Sequence, residues 1–287
     1  MAPAYTDPNS DWYDMSGREN SRDLLESRLG DALSKAERGS VACIPFLTPL
    51  EKKQAERVLR ARGAWEQAWL WGGYPNAERA CLFLMPEYLT AMLTFSPNEC
   101  PPSEVEALLE EELSEAVCAV RIKGSGYRTL GHRDYLGSVL GLGLERDALG
   151  DIAVQNEHEA VVFCPRTIAA FLCQSLDKVA SDTVKCRVWT LDESFTDGRR
   201  YQPLSDSVAS PRLDCVVAAL TNLSRDEAQT AVRTGLVEVE FEPVERVDLT
   251  LEPPVTISVR GFGRFILRSF DGETRKGRLR MRADKLI

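Results

Sequence analysis

Two helix-start signals in quick succession, followed at once by a strand pattern, constrain the stretch from Pro211 to Arg260 more tightly than any other part of the chain. Ser210 before Pro211 predicts a helix start, because a hydroxyl can accept from free N–H groups and proline suits the first helical position. Leu213, Val216, Val217 and Leu220 recur at helical spacing and predict one buried stripe. Ser224-Arg225-Asp226-Glu227 has serine at a cap and glutamate three residues on, the pattern of a capping box. Ala228 and Val232 carry this second helix inward, which turns Arg225 and Arg233 outward. Gly235 follows, where a helix end takes a residue tolerant of the left-handed conformation. Val237, Val239 and Phe241 then alternate with Glu238 and Glu240, the period of a half-buried strand. Such a unit sets helix N-termini and arginines on one side, and both suit a phosphate backbone.

The ordered set Arg212-Leu213-Asp214, Ser224-Arg225 and Gly235-Leu236-Val237-Glu238-Val239 resembles the S4 RNA-binding domain, a small module that grips folded RNA rather than carrying out a reaction. Residues 210–254 carry four bases and nine acids, whereas residues 255–287 carry nine bases and three acids. The module therefore cannot hold RNA by bulk attraction; it must rely on placed arginines, helix N-termini and the basic segment that follows. In that segment Arg278-Leu279-Arg280-Met281-Arg282, read as a strand, puts three arginines on one face. Arg275-Lys276-Gly277 precedes it. Such a strand can lie along RNA or serve as a charge-guarded sheet edge. Arg260-Gly261-Phe262-Gly263 begins like an RRM aromatic motif, but Arg264 stands where a stacking aromatic belongs. Gly261 and Gly263 are read as turn glycines, and Arg260 and Arg264 as phosphate candidates.

A length of 287 residues predicts two or three domains, and 44% hydrophobic with 28% charged residues is ordinary for a globular chain. A net charge of −9 argues against a protein coated in basic charge, and between Glu99 and Val117 there are seven acids and no base. The eight cysteines include no pair with a zinc-knuckle gap, so neither a structural metal nor a cofactor is expected, and most are read as small core residues. The start, Met1-Ala2-Pro3-Ala4, lacks a basic stretch followed by an apolar run, and no apolar run reaches membrane-spanning length. The expectation is a cytoplasmic protein with no signal peptide and no membrane partner.

The expected fold class is α+β, in several domains. Residues 1–19, polar and rich in turn formers, are expected as a disordered tail. Residues 20–76 are expected as a small helical or α+β domain. One helix is marked by Leu24, Leu25, Leu29, Ala32, Leu33 and Ala36, and a second is opened by Thr48-Pro49. Trp65, Trp69 and Trp71 are read as core, ahead of a turn-rich boundary at Gly72-Gly73-Tyr74-Pro75-Asn76. Residues 77–191 mix strands (79–85, 116–122, 151–155, 160–163, 184–189) with helices (103–113, 134–142, 167–176), which predicts an RRM-like, or ferredoxin-like, domain. Residues 192–209 read as a linker before the terminal unit, 210–287. Gly124-Ser125-Gly126 lacks the third glycine of a dinucleotide turn and is read as a loop exposing Arg128 and Arg133 to RNA. His132-Arg133-Asp134 imitates a kinase catalytic loop, but Val139 occupies the position of the required asparagine.

With these segments in view, the chain resembles the YlmH family of bacterial S4-domain proteins. The resemblance is carried by Gly72-Gly73-Tyr74-Pro75-Asn76-Ala77-Glu78-Arg79, by His132-Arg133-Asp134-Tyr135-Leu136-Gly137 with Leu140-Gly141-Leu142-Gly143, and by Arg146-Asp147 and Gly150-Asp151-Ile152. Arg212-Leu213-Asp214, Ser258-Val259-Arg260-Gly261-Phe262-Gly263-Arg264 and Lys276-Gly277-Arg278 complete it. The resemblance implies a small N-terminal domain, an RRM-like middle domain and a C-terminal S4 domain. It implies a monomer without catalytic activity that binds ribosomal RNA and tRNA on the large ribosomal subunit in rescue of stalled translation, alongside an older cell-division label. Matching positions implicate Arg212, Ser224, Arg225 and Arg233 in RNA contact, joined by Arg260, Arg264, Lys276, Arg278, Arg280, Arg282, Arg128 and Arg133. One departure is that Leu236 and Glu238 stand where the family tends to carry lysines, and Glu240 replaces a usual asparagine. The alternative is an RNA-modifying enzyme with an appended S4 domain, a pseudouridine synthase or a methyltransferase. Against it, Asp214 lies inside a short helix with no following Thr-Ser-Gly. A scaffold docking through the acidic 104–115 helix is a third reading.

Overall fold

Thr48 opens the second helix through a reciprocal cap: the Glu51 amide donates to Thr48 Oγ1 (3.3 Å) and the Thr48 amide donates to Glu51 Oε2 (2.7 Å). The computed structural model describes residues 15–287, with side chains from Arg22 onward. Of the polar stretch 1–19, residues 1–14 lie outside the described residues, and a helix already runs from Met15. The fold is α+β with several antiparallel sheets, and the chain divides into two units after Phe195.

The first unit begins with α1 (Met15–Glu37), β1 (Ala42–Leu47), α2 (Pro49–Ala61), β2 (Ala68–Trp71) and β3 (Ala80–Leu84). The strands form an antiparallel sheet ordered β1-β3-β2. Trp69 and Trp71, read as core, lie on β2 beside β3, with Trp69 buried and Trp71 packed against the same core. One expectation is corrected: strand 80–84 does not open the middle domain but is the central strand of the first sheet. The reason is the uniformly apolar run Ala-Cys-Leu-Phe-Leu, which suits a strand covered on both faces. Leu82 and Leu84 pack with Leu29, Ala55 and Leu59 from the helices, while Cys81 and Phe83 face a different core on the other side.

A short turn α3 (Glu87–Thr90) leads to α4 (Pro102–Leu108) and α5 (Glu110–Ala116). The acidic helix expected over 103–113 is thus two helices, broken at Leu109, which leaves helical dihedrals (φ −116°, ψ 22°) while its side chain is fully buried. Then follow β4 (Cys118–Gly124), α6 (His132–Leu140), β5 (Ile152–Asn156), β6 (Glu159–Cys164), α7 (Arg166–Ser175), β7 (Lys178–Val179) and β8 (Asp182–Val188), with sheet order β5-β6-β4-β8-β7. One face buries Val120, Ile122 and Val162 against Tyr135, Val139 and Leu172 of α6 and α7. The opposite face carries Ala119, Val161 and Phe163 into the core that holds Trp69, Phe83 and Val105. Cysteine burial is mixed: Cys81, Cys100 and Cys164 are core residues, but Cys43 and Cys173 are exposed.

The second unit comprises β9 (Tyr201–Val208), α8 (Leu213–Thr221), α9 (Arg225–Arg233), β10 (Val237–Val239), β11 (Glu242–Pro243), β12 (Val255–Val259), β13 (Gly263–Glu273) and β14 (Leu279–Leu286). Its sheet order is β11-β10-β12-β13-β14-β9. The linker expected over 192–209 is corrected by β9, which pairs with β14 from Tyr201↔Leu286 to Val208↔Leu279. The polar residues that suggested a linker are those of an edge strand, where Pro203 is tolerated. Helices α8 and α9 cover one sheet face, joining Val216, Val217, Ala228 and Val232 to Ile257, Phe265, Leu267 and Met281.

Ser210 does not cap α8. Arg212 is the cap residue, and the amides of Leu213 and Asp214 donate to Leu249 O (2.8 Å) and Val247 O (3.1 Å) of the loop after β11. These first-turn donors are thereby engaged within the protein rather than offered to a phosphate. Strand β10 also stops short of Phe241. Glu240 and Phe241 both have positive φ (53° and 68°) in a two-residue turn joining Val239 to Glu242. Neither residue type favours that conformation. Glu240 Oε1 offsets it by accepting from the Thr256 amide (2.6 Å), and the Arg264 guanidinium lies 5.1 Å over the Phe241 ring. Among the described residues, no helix is long and apolar enough to cross a membrane.

Candidate nucleic-acid interface

Asp214 is 0% exposed, and five donors converge on its carboxylate. Oδ1 accepts from Arg212 Nε (3.1 Å) and the Cys215 amide (3.0 Å). Oδ2 accepts from Arg212 Nη2 (3.3 Å), Arg225 Nε (3.1 Å) and Gln229 Nε2 (2.8 Å). Gln229 in turn accepts from Arg233 Nη2 through Oε1 (3.3 Å). Arg225, Gln229 and Arg233 recur every fourth residue and so lie on one stripe of α9. Arg212 reaches the same carboxylate from the start of α8. One buried anion thus orients two arginines directly and a third through a carboxamide, while the side chains of Arg212 and Arg225 remain 37% and 54% exposed. The arrangement holds guanidinium donors fixed at the surface of a segment that is acidic overall, the placement phosphate recognition requires.

Burial alone would push the Asp214 carboxyl up. The hydrogen bonds from Gln229, Arg212 and Arg225 outweigh it and bring the group down to about 2 from its ordinary 3.8. Because the folded value is the lower one, the associated stability is present in full above about pH 4 and is lost as pH falls toward 2. The wild-type chain should lose about 2 kcal/mol between pH 5 and pH 2 that an Asp214→Asn variant does not lose, once the partial exposure of the arginines is allowed for. Urea unfolding of the second unit across that range measures it.

The remaining residues singled out in the sequence do not form one cluster. Ser224 caps α9: its hydroxyl accepts from the Glu227 amide (3.3 Å) and donates to Glu227 Oε2 (2.7 Å). Strand alternation puts Arg280 and Arg282 on the sheet face opposite the helices, since Met281 and Ala283 are buried beneath α8 and α9. This face is flanked by Ser205 and Ser207 of β9, and β14 is an interior strand rather than the charge-guarded edge. Arg282 pairs with Asp271 (2.5 Å), and Arg278 donates to the hydroxyl (3.1 Å) and carbonyl of Ser207. Arg260 and Lys276 sit in the turns at opposite ends of β13, whose 11 residues span about 36 Å, so one compact contact cannot use both. In the first unit, the Arg128 guanidinium is shared between Asp134 Oδ1 (3.4 Å) and Ser181 Oγ (3.5 Å), while Arg133 is exposed in the first turn of α6. Sequence reading missed Gln229; its signal was the four-residue spacing from Arg225 and to Arg233.

Of the first-unit motifs that carry the family resemblance, Gly72–Arg79, Arg146-Asp147 and Gly150-Asp151 serve a buried clasp. Asp151 accepts from Tyr74 Oη (2.6 Å) and from the amides of Glu78 (2.7 Å) and Arg79 (3.0 Å). Arg79, 7% exposed, donates to Leu149 O (2.8 Å) and Phe46 O (3.1 Å) and reaches Asp147 (3.4 Å). Gly73 (φ 98°) lies where a Cβ would come within 2.4 Å of the Phe163 ring. These residues tie the loop after β2 to the start of β5.

A family model described as "Putative RNA-binding domain in YlmH" matches residues 112–193, the stretch from α5 through β8. The ribosome-associated protein quality control protein P2 of Bacillus subtilis (strain 168) is 30% identical over 211 residues, covering 73% of this chain and 74% of that protein. The solved structure of the cell division protein ylmH from Streptococcus pneumoniae is 17% identical with a TM-score of 0.43, covering 66% of this chain and 96% of that one. The chain belongs to the YlmH family.

Proposed function

We propose that this protein is a non-catalytic RNA-binding protein that engages ribosomal RNA and tRNA on the large ribosomal subunit during rescue of stalled translation, as a cytoplasmic monomer. The observation that carries the reading is the Asp214 carboxylate and the arginines it orients. Residues 210–287 are assigned as an S4 domain, which the α8–α9 pair backed by β10 and β12 supports. The middle segment is assigned as RRM-like, in keeping with its strand-helix-strand-strand-helix-strand order and the sequence β5-β6-β4-β8 across its sheet. The ribosome-associated quality-control role of the Bacillus subtilis relative supports the ribosomal setting, and the matched family model supports RNA as the ligand. Full burial of Asp214 beneath three side chains argues against its use as a synthase nucleophile.

Co-sedimentation with ribosomal particles tests the reading. Binding should fall steeply with salt, and Arg212→Ala with Arg225→Ala should weaken it at least about 10-fold, since each placed arginine contributes about 1–3 kcal/mol. Unchanged co-sedimentation of the double variant would mean these arginines are not the contact.

A further inference from the structure

On β4 and β8, Arg121, Lys123, Lys185 and Arg187 stand on the sheet face away from α6 and α7. Alternation with the buried Val120, Ile122 and Val184 fixes that side. The register sets Arg121 directly opposite Arg187 and Lys123 directly opposite Lys185, and at the sheet edge Lys178 is opposite Thr183. Like charges directly opposite one another weaken strand pairing, so two such pairs in succession work against the fold. The nearby acids are Glu159, which stands directly opposite Lys123 on β6 and binds Arg121 Nε, and Asp192, whose charge also acts on Arg121. Among the described residues no ion pair engages Lys123, Lys185 or Arg187. The Arg121 guanidinium lies 4.6 Å over the Trp189 ring, which fixes its position on the surface. Along the same face the character changes abruptly: Ala119, Val161 and Phe163 are apolar and covered, whereas the strip from Arg121 onward is basic and open. In a chain of net charge −9, this local excess of positive charge is not a product of composition.

We infer that this strip is a second RNA-contact surface, on which a phosphate backbone runs along β4 and β8 and is gripped from both strands. Same-side residues recur about every 7 Å along a strand and neighbouring strands lie about 5 Å apart, so the two opposed pairs flank a narrow track. Phosphates in the track remove the repulsion the sheet otherwise carries. The inference rests on the RNA-binding reading above and adds to it a surface in the other unit.

Filter binding of the full chain to purified ribosomal RNA over a salt series tests it. Lys185→Gln with Arg187→Gln should weaken binding about 10–100-fold and make the log-affinity against log-salt slope shallower by about 1–2. The Tm should stay level or rise, because both opposed pairs are relieved. The charge-keeping variant Lys185→Arg with Arg187→Lys should bind like the wild type, and Lys35→Gln with Arg38→Gln, elsewhere in the same unit, should have little effect. Wild-type binding that persists unchanged in Lys185→Gln/Arg187→Gln overturns this surface alone. An equal loss in the Lys35→Gln/Arg38→Gln control overturns it in favour of bulk charge, and a lowered Tm overturns the repulsion argument. Retained RNA affinity with lost binding of polyglutamate would assign the strip to an acidic protein instead. A wild-type chain that fails to bind RNA overturns the proposed function as well.

Discussion

Asp214→Asn should weaken RNA binding even though it makes the binding surface more positive. Attraction by summed charge predicts the reverse, because removing a buried anion beneath three arginines raises the local charge by one. The geometry sets the expected sign. Arg212 and Arg225 take their orientation from the Asp214 carboxylate, and Arg233 takes its own through Gln229. An amide of the same shape offers one acceptor oxygen and presents donors to the guanidinium groups, so the arginines lose their common anchor. Affinity should fall about 10–100-fold, the range for losing one placed arginine, with stability lower by about 2 kcal/mol at neutral pH. Filter binding at fixed salt, with urea unfolding alongside, reads both. Tighter binding by the variant would show that charge, not placement, governs this interface.

The largest effect on stability is expected in the other unit. Asp151→Ala removes the acceptor for Tyr74 Oη and for the amides of Glu78 and Arg79, in a site where Asp151 is 9% and Tyr74 4% exposed. Donors stranded away from water carry the full cost of desolvation, and the Arg146 guanidinium loses a nearby anion. The cost should be about 3–5 kcal/mol, enough to lower the Tm of this unit by about 10 °C. Asp151→Asn, which keeps one acceptor, should cost roughly half. The measurement that separates structure from recognition is RNA binding well below the melting temperature, which should match the wild type. A binding defect in fully folded Asp151→Asn would place this clasp at an interface.

What could be read from the residues was what depends on near neighbours. The α9 capping box, the stripe of α8 and the alternation of Arg280 with Met281 are local patterns, and the structure contains each of them. Placement that depends on distant partners was not legible. Ser210-Pro211 looked like a helix start, but the carbonyls that cap α8 come from the loop at Val247 and Leu249. The alternating pattern through Phe241 continued on paper, while the Glu240–Phe241 turn is held by Thr256 and Arg264. Residues 80–84 declared a strand without declaring its sheet. The opposed basic pairs on β4 and β8 exist only through the register between two strands far apart in sequence, and neither strand alone distinguishes them from a solvated edge. Of the candidate interface, the arginines could be named from the sequence, whereas their convergence on a buried Asp214 carboxylate could not.

The position of β14 between β13 and β9 has a consequence for how the second unit comes into being on a ribosome. Synthesis proceeds from β9 forward, yet β14, the strand that β9 pairs with, is made last. Through most of translation of this unit, β9 waits unpaired and β13 has an open edge, the circumstances in which strands find wrong partners. Closure over so long a separation is also slow. A nascent chain interrupted before β14 would carry α8 and α9 with their arginines but would lack the strand that joins β13 to β9.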